Sequence, residues 1–376
     1  MRARHPIVRA PIPFPEHAQR AAEVPVDDAR ARRAAFKQYI AERVEAGEVP
    51  WVDVPDLHRA NSLHDDRGNV FLGHNVRRLA LDRRSGKAFV RLLLAAEAAS
   101  DNLRDGVYTT KRGLYYQHQA RLADADAGQV ESDRAIASLA NLLGVRRRSL
   151  GFVEAKRGLM FGHLVLRDGE QVLDLAKLGP RGLGVPRFTD DVEIVGSDAD
   201  FILVVEKHSV AVRLAQERWW NAARCIIVCA EGFPSLSTRE YVGTLIDALG
   251  IPALLCVDGD LGGIQVALTF AHGAVSTALE TPWLACNNVW WAGLYPSEIE
   301  RYGEGARIRL DDDAREAIGR LLGHPSHAYV NRRVRDELAV LLDLGAKVEL
   351  DALLHDRHLV EDYLPKKIFD SELVKL

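Results

Sequence analysis

Phe201-Ile-Leu-Val-Val205-Glu206-Lys207 decides how this 376-residue chain is read. An apolar run of five residues reads as a strand buried on both faces, and it ends abruptly at a carboxylate and an ammonium. Working outward, Ser209–Trp219 has helical spacing, and Cys225–Cys229 repeats the apolar run. Thr238–Leu249 is helical, with Thr238 near its cap. Ala253–Val257 is a third strand ending at Asp258-Gly259-Asp260, and Leu261–Gly273 is helical again. The order βαβαβα predicts a parallel, Rossmann-like sheet. Glu206, Asp258 and Asp260 all fall just past strand C-termini, where open α/β sheets place their sites. Farther on, Asp312–Leu322 and Asn331–Leu344 read as helices and Lys347–Leu350 as a strand.

In extended backbone, residues i and i+2 point the same way, so Asp258 and Asp260 are expected to converge. With Glu206 they form an oxygen-only donor set, free of His and Cys, which suits Mg²⁺. Carboxylates this close repel unless a cation sits among them. Each acid taken alone is more often a loop or cap residue than a ligand.

On the N-terminal side, residues 168–197 are punctuated by Gly179, Pro180, Gly182, Gly184 and Pro186 and read as a linker. Residues 68–167 read as a small mixed unit. It has helices at Gly86–Asn102, Leu114–Leu122 and Asp133–Leu143, then strands at Leu150–Glu154 and Gly162–Arg167 joined through Lys156-Arg157-Gly158. Three helices followed by a β-hairpin is the order of a winged helix, which puts one helix into a DNA groove. Arg146, Arg147 and Arg148, with Lys156 and Arg157, are then expected on phosphates, the alternative for the triplet being a solvated face. Residues 1–67 form an arm: Pro-rich to residue 25, then a helix from Asp27 to about Ala46 ended by Gly47. Phe36, Tyr39, Ile40 and Val44 stripe that helix, which packs on its own chain or docks a partner.

Within the small unit lies Tyr108-Thr-Thr-Lys111-Arg112-Gly113-Leu114-Tyr115-Tyr116-Gln117. Helical neighbours diverge by about 100°, so one of the two tyrosines packs while the other looks out. Arg112 lies one turn before them. A phenol is a poor nucleophile at neutral pH unless a cation or base assists it, and a guanidinium also grips phosphate in bidentate fashion. Ordinary helix-face aromatics are the plainer reading.

The net charge of −4 is unevenly spread. Residues 1–160 hold 27 Lys+Arg against 20 Asp+Glu; the remainder holds 22 against 33. A basic front and an acidic back fit a protein that holds a polyanion with one part and cations with the other. Cys225, Cys229, Cys256 and Cys286 have no finger-like partners and read as reduced structural thiols of a cytoplasmic protein. No secretory signal or membrane span is evident.

Taken together, these stretches resemble the A subunit of DNA topoisomerase VI and its relatives, the meiotic double-strand-break transesterases, from about residue 68 to 368. Arg112-Gly113-Leu114-Tyr115-Tyr116 is similar to the family's Arg-acidic-x-aromatic-Tyr motif. Ser197-Asp-Ala-Asp200 through Glu206-Lys207 resembles the segment with the topoisomerase–primase (TOPRIM) glutamate, and Asp258-Gly-Asp260 its Asp-x-Asp motif. Glu131 to Leu150, Lys156-Arg157-Gly158-Leu159, and Lys347-Val-Glu349 to Pro365 are also family-like. Gly113 stands where an acidic residue is usual, Leu261-Gly262 where Pro and a polar residue are, and Ala230-Glu231 where Gly-Lys is common. The resemblance implies an α/β protein with a winged-helix domain and a TOPRIM domain over residues 198–376. It implies Tyr116 as nucleophile assisted by Arg112, Mg²⁺ on Glu206, Asp258 and Asp260, and Lys111 among the DNA contacts. It further implies a homodimer acting in trans on double-stranded DNA, leaving a 5′-phosphotyrosyl end. A separate ATPase B subunit would complete an A2B2 assembly and supply the ATP hydrolysis, with the N-terminal helix as its docking element. The alternatives are a dedicated break-former without strand passage and a non-catalytic DNA-binding subunit.

Overall fold

The computed structural model describes residues 11–117, 128–155, 158–323, 331–355, 358–370 and 373–376. Its N-terminal part opens on helix α1 (Val26–Glu45). Four strands follow: β1 (Trp51–Pro55), β2 (Ser62–His64), β3 (Val70–Leu72) and β4 (Val76–Ala80). β1 pairs with β4 and β2 with β3, both antiparallel, so strand pairing straddles the expected boundary at residue 67. Helix α2 (Gly86–Asp105), strand β5 (Thr109–Thr110), helix α3 (Lys111–Gln117), helix α4 (Gly128–Leu143) and strand β6 (Phe152–Val153) complete this part. Gly106 ends α2 in the left-handed conformation at φ 65°, where a Cβ would be strained. Phe89, Leu92, Leu114, Ile136 and Leu139 share one core.

α1 packs onto this core rather than standing clear of it. Ala29 and Phe36 are buried there, with Tyr39 and Ile40 against them. Arg32 Nη1 donates to the Leu143 carbonyl at 2.9 Å, and Tyr39 Oη to the Trp51 carbonyl at 3.0 Å. Val44, expected on the same stripe, is 57% exposed.

Among the described residues, the two strands expected to form one hairpin do not pair with each other. β6 pairs in parallel with β5. The next strands, β7 (Leu159–Gly162) and β8 (Val165–Asp168), go elsewhere: β8 joins β9 (Gln171–Asp174) and β11 (Glu193–Gly196) in a small sheet. β7 pairs with β10 (Leu183–Gly184) and enters the main sheet. The segment read as a linker is therefore strand-rich. The Gly and Pro residues there mark turns between short strands, which short polar strands disguise in sequence.

The main sheet is built on β12 (Phe201–Val205), β13 (Cys225–Cys229), β14 (Ala253–Cys256) and β15 (Val289–Trp291). These run parallel in the order β13-β12-β14-β15; β7 lies antiparallel on one edge with β10 antiparallel to it beyond, and a short antiparallel strand at Val374–Lys375 closes the other edge. Helices α5 (His208–Gln216), α6 (Leu236–Leu249) and α7 (Leu261–His272) alternate with the strands, as the sequence predicts. All residues of β12 and β13 are buried, because helices cover both faces. Ser235, three residues before Thr238, caps α6 by accepting from the Thr238 amide at 3.1 Å. Helices α8 (Asp312–Gly323) and α9 (Arg332–Leu344) lead to the short strand at Ala346–Lys347. Beyond it Val348 bridges Gly259, and Leu350–Leu353 turns into 3₁₀ helix instead of continuing as strand. The four cysteines are buried and none is in a disulfide. Among the described residues no helix is long and apolar enough to cross a membrane.

Candidate active site

α3 is short, and one residue anchors it. Leu114 is 1% exposed and contributes about 2 kcal/mol of apolar burial. Thr110 Oγ1 caps the helix by accepting from the Gly113 amide at 2.9 Å. A Cβ on Gly113 would lie 3.1 Å from that oxygen, so the glycine and the cap fit each other. With Leu114 inward, Tyr115 is half-buried and Tyr116 is 56% exposed. The two rings meet edge-on at 5.4 Å. Arg112 Nη2 donates to Tyr116 Oη at 3.1 Å, with the guanidinium carbon 5.5 Å from the ring centroid. The i to i+4 spacing thus delivers a phenolic oxygen at the surface with a cation on it.

Lys111 does not join that surface. Its Nζ lies 2.7 Å from Glu154 Oε1, and Glu154 Oε2 accepts the Leu236 amide at 2.5 Å. Glu154 therefore ties the tyrosine helix to the start of α6 in the other part of the chain. Nor are Arg146 and Arg147 on a phosphate-facing surface. Arg146, 2% exposed, contacts Glu23 at 2.5 Å and Glu240 at 2.6 Å, and Arg147 contacts Glu280 at 3.3 Å. Arg148 reaches Glu23 at 2.8 Å and also Asp190 and Glu240. Burial works against the Arg146 charge, but Glu240, Glu280 and Glu23 outweigh it and hold the group above its ordinary pKa. The triplet cements the N-terminal arm, the tyrosine-bearing unit and α6 together. Its partners lie between 42 and more than 120 residues away in sequence, beyond what local patterning can show. Lys156 and Arg157 lie outside the described residues.

At the main sheet's C-terminal edge, Glu206 follows β12, and Asp258 and Asp260 follow β14. Glu206 Oε2 accepts the Asp258 amide at 3.1 Å. Asp258 Oδ1 accepts the Leu350 amide at 2.8 Å, and Asp260 Oδ1 caps α7 through the Gly263 amide at 2.8 Å. Burial first, then the charges of Asp258 and Asp260, push Glu206 up to about 7. Burial likewise raises Asp258 to about 6, against the opposing pull of Leu350 and Lys207. Two acids that resist ionisation beside a third, with oxygen donors alone, fit a hard divalent cation such as Mg²⁺.

The acids are not already gathered on one point. Among the described residues no three His, Cys, Asp or Glu side chains converge as a cation site. Two lysines intervene: Lys207 Nζ lies 3.2 Å from Asp258 Oδ2, and Lys347 Nζ 3.0 Å from Asp260 Oδ2. Glu349 and Asp351 hold the lysines in turn. Sequence reasoning gave these four residues no role. The signal available was the alternation Lys347, Glu349, Asp351 around the buried Val348 and Leu350, which puts three charged groups on one side.

Comparisons with known proteins match both parts of the chain. The family model for the Toprim domain of the topoisomerase 6 A subunit and Spo11 matches residues 201–368, and the one described as Type IIB DNA topoisomerase matches residues 87–152. The chain is 27% identical to the Type 2 DNA topoisomerase 6 A subunit of Hyperthermus butylicus, over 94% of this chain and 99% of that one. It is 31% identical to the DNA topoisomerase 6 A3 subunit of Oryza sativa subsp. indica, over 72% and 61% respectively. With the Meiotic recombination protein SPO11-2 of the same plant the identity is 29%, over 83% and 82%. A Toprim match behind a type IIB topoisomerase match, in a chain that aligns with the Hyperthermus butylicus relative nearly end to end, places this protein in the family of topoisomerase 6 A subunits and Spo11.

Proposed function

We propose that the chain is the DNA-cleaving A subunit of a type IIB topoisomerase, with Tyr116 as its nucleophile. The exposed Tyr116 hydroxyl under the Arg112 guanidinium is the observation that carries this reading. In the reaction, Tyr116 Oη forms a bond to a backbone phosphorus and the bond from phosphorus to the 3′ oxygen breaks. The phenolic proton passes to solvent, and the leaving 3′ oxygen takes up a proton to become a hydroxyl. The 5′ phosphate stays on Tyr116. One phosphate diester replaces another, so the reverse attack by the 3′ hydroxyl reseals the strand without further energy input. Arg112, already donating to Tyr116 Oη, is placed to stabilise the charge that develops on the attacking and phosphoryl oxygens. Glu206, Asp258 and Asp260 would hold Mg²⁺, which supplies Lewis-acid stabilisation of the phosphoryl and leaving oxygens.

The pairing of acids and tyrosine is read as occurring between two copies of the chain, around one duplex. A B-type ATPase is the expected partner in an A2B2 assembly, with any ATP hydrolysis residing there. The groove between α1 and α2, floored by Phe36, Ile40, Leu93 and Ala96, is its candidate docking site. The direct test is incubation with duplex DNA and Mg²⁺, with and without a B-type partner, followed by denaturation. A DNA adduct that survives denaturant and disappears in Tyr116→Phe supports the reading. No adduct under either condition would leave a non-catalytic DNA-binding subunit. The SPO11-2 likeness favours a second reading, a dedicated break-former. Adduct formation without any relaxation of supercoiled DNA, even with ATP and a B-type partner, would select it.

A further inference from the structure

The two lysines on the acidic edge are held in a graded way. Lys207 Nζ lies 2.6 Å from Glu349 Oε2 and 2.6 Å from Asp351 Oδ2, but 3.2 Å from Asp258 Oδ2. Lys347 Nζ is shared almost evenly, 3.0 Å from Asp260 Oδ2 and 3.2 Å from Glu349 Oε1. Glu349 thus offers one oxygen to each ammonium. Asp351 is steadied from the far side by Ser209 Oγ at 2.6 Å. Both lysine side chains are about three-quarters covered, so water screens them only in part. Five carboxylates, from Glu206, Asp258, Asp260, Glu349 and Asp351, face two ammoniums, which leaves charge for a divalent cation to neutralise.

We propose that Lys207 and Lys347 are exchangeable counter-ions of the cation site, and that Glu349 is the positioning residue that takes them over when a divalent cation enters. The inference rests on the reading of Glu206, Asp258 and Asp260 as a cation site. Leaving Asp258 costs Lys207 only its longest contact and keeps its two short ones. Leaving Asp260 moves Lys347 wholly onto Glu349, which it already touches. The ammoniums compete with the cation for Asp258 and Asp260, while Glu349 draws them away. The lysines therefore weaken cation binding and Glu349 strengthens it without serving as a ligand. A scaffold role would give every substitution the same sign.

The test is Mn²⁺ binding to the full-length, DNA-free protein, read from the electron paramagnetic resonance signal of free Mn²⁺. Lys347→Met is expected to tighten Mn²⁺ by roughly three- to tenfold, and Glu349→Gln to weaken it by a similar factor. In the double variant at least half of the Glu349→Gln loss should vanish, because Lys347 no longer needs removing. Weakening by both single substitutions overturns the exchange. So does a Glu349→Gln loss that persists in full without Lys347, which would make Glu349 a direct ligand. Wild-type binding that is absent, or unchanged by Asp258→Asn, instead removes the cation-site reading itself. Where Lys347→Met fails to melt cooperatively, Lys347→Gln carries the same expectation.

Discussion

Two basic runs in this chain look alike in sequence and end in opposite places. Lys111-Arg112 leaves one guanidinium at the surface, resting on a phenol that is itself exposed. Arg146-Arg147-Arg148 disappears into carboxylates from Glu23, Glu240 and Glu280. The difference lies in what surrounds each run. A charge with a committed buried partner is structural, because removing either member strands the other in low dielectric. A charge with a single weak, solvent-facing partner is available to a ligand. The acidic edge lies between these cases: Asp258 is buried, Glu206 and Asp260 are half-buried, and its lysines are divided among several acceptors.

The sharpest way to break the contrast is Tyr116→Phe. It should abolish the covalent DNA adduct while leaving thermal stability within about 0.5 kcal/mol, since the hydroxyl lies on the surface. An adduct that persists moves the nucleophile to Tyr115 or elsewhere. Arg146→Ala comes next. It leaves Glu240 with only its longer contact to Arg148 and Glu280 with only Arg147, and should cost roughly 3 kcal/mol of stability, measured by chemical denaturation. A stable Arg146→Ala protein whose DNA affinity has become less salt-dependent would instead restore the triplet to the DNA surface. Arg112→Ala should slow adduct formation by roughly 10²-fold with no change in melting temperature, placing its effect in the reaction alone. A melting temperature that falls with it would make the Arg112–Tyr116 pair structural.

The acidic edge adds a pH dependence. Glu206 at about 7 and Asp258 at about 6 lie above their ordinary values, so the folded chain holds protons that the unfolded chain has released. Their contribution is fully present below about pH 4 and is lost as pH rises through about 7. A divalent cation held by these acids, as proposed, would replace those protons. Stabilisation by Mg²⁺ in a thermal melt should therefore be larger at pH 8 than at pH 5.5. An equal shift at both values would detach Mg²⁺ from these two acids. The smallest expected effect is Gly113→Ala. Gain of helix propensity and crowding of Thr110 Oγ1 oppose each other, leaving a net change under about 1 kcal/mol.

The sheet was legible because its strands announce themselves locally. Phe201–Val205 and Cys225–Cys229 coincide with the observed strands to the residue, since strands buried on both faces are continuous apolar runs. The acids were legible because topology puts strand ends on one edge. Misreading began where strands were short and half-exposed. Gly162–Arg167 reads as one arm of a hairpin, yet the chain there divides between Leu159–Gly162, which pairs with Cys225–Cys229, and Val165–Asp168, which joins a separate sheet. Local pattern shows that a segment is a strand but not which strand it joins.

By itself, the sequence determined the alternation of strands and helices, the acids at the strand ends, and one tyrosine facing outward a turn after Arg112, because each follows from the backbone's own periodicity. Only the tertiary structure decided which cations are free. It set Glu154 on Lys111, Glu240 on Arg146, and Glu349 between two lysines. Partners so distant in sequence meet only after the chain has folded, and ion pairing depends on distance in space, not on position along the chain.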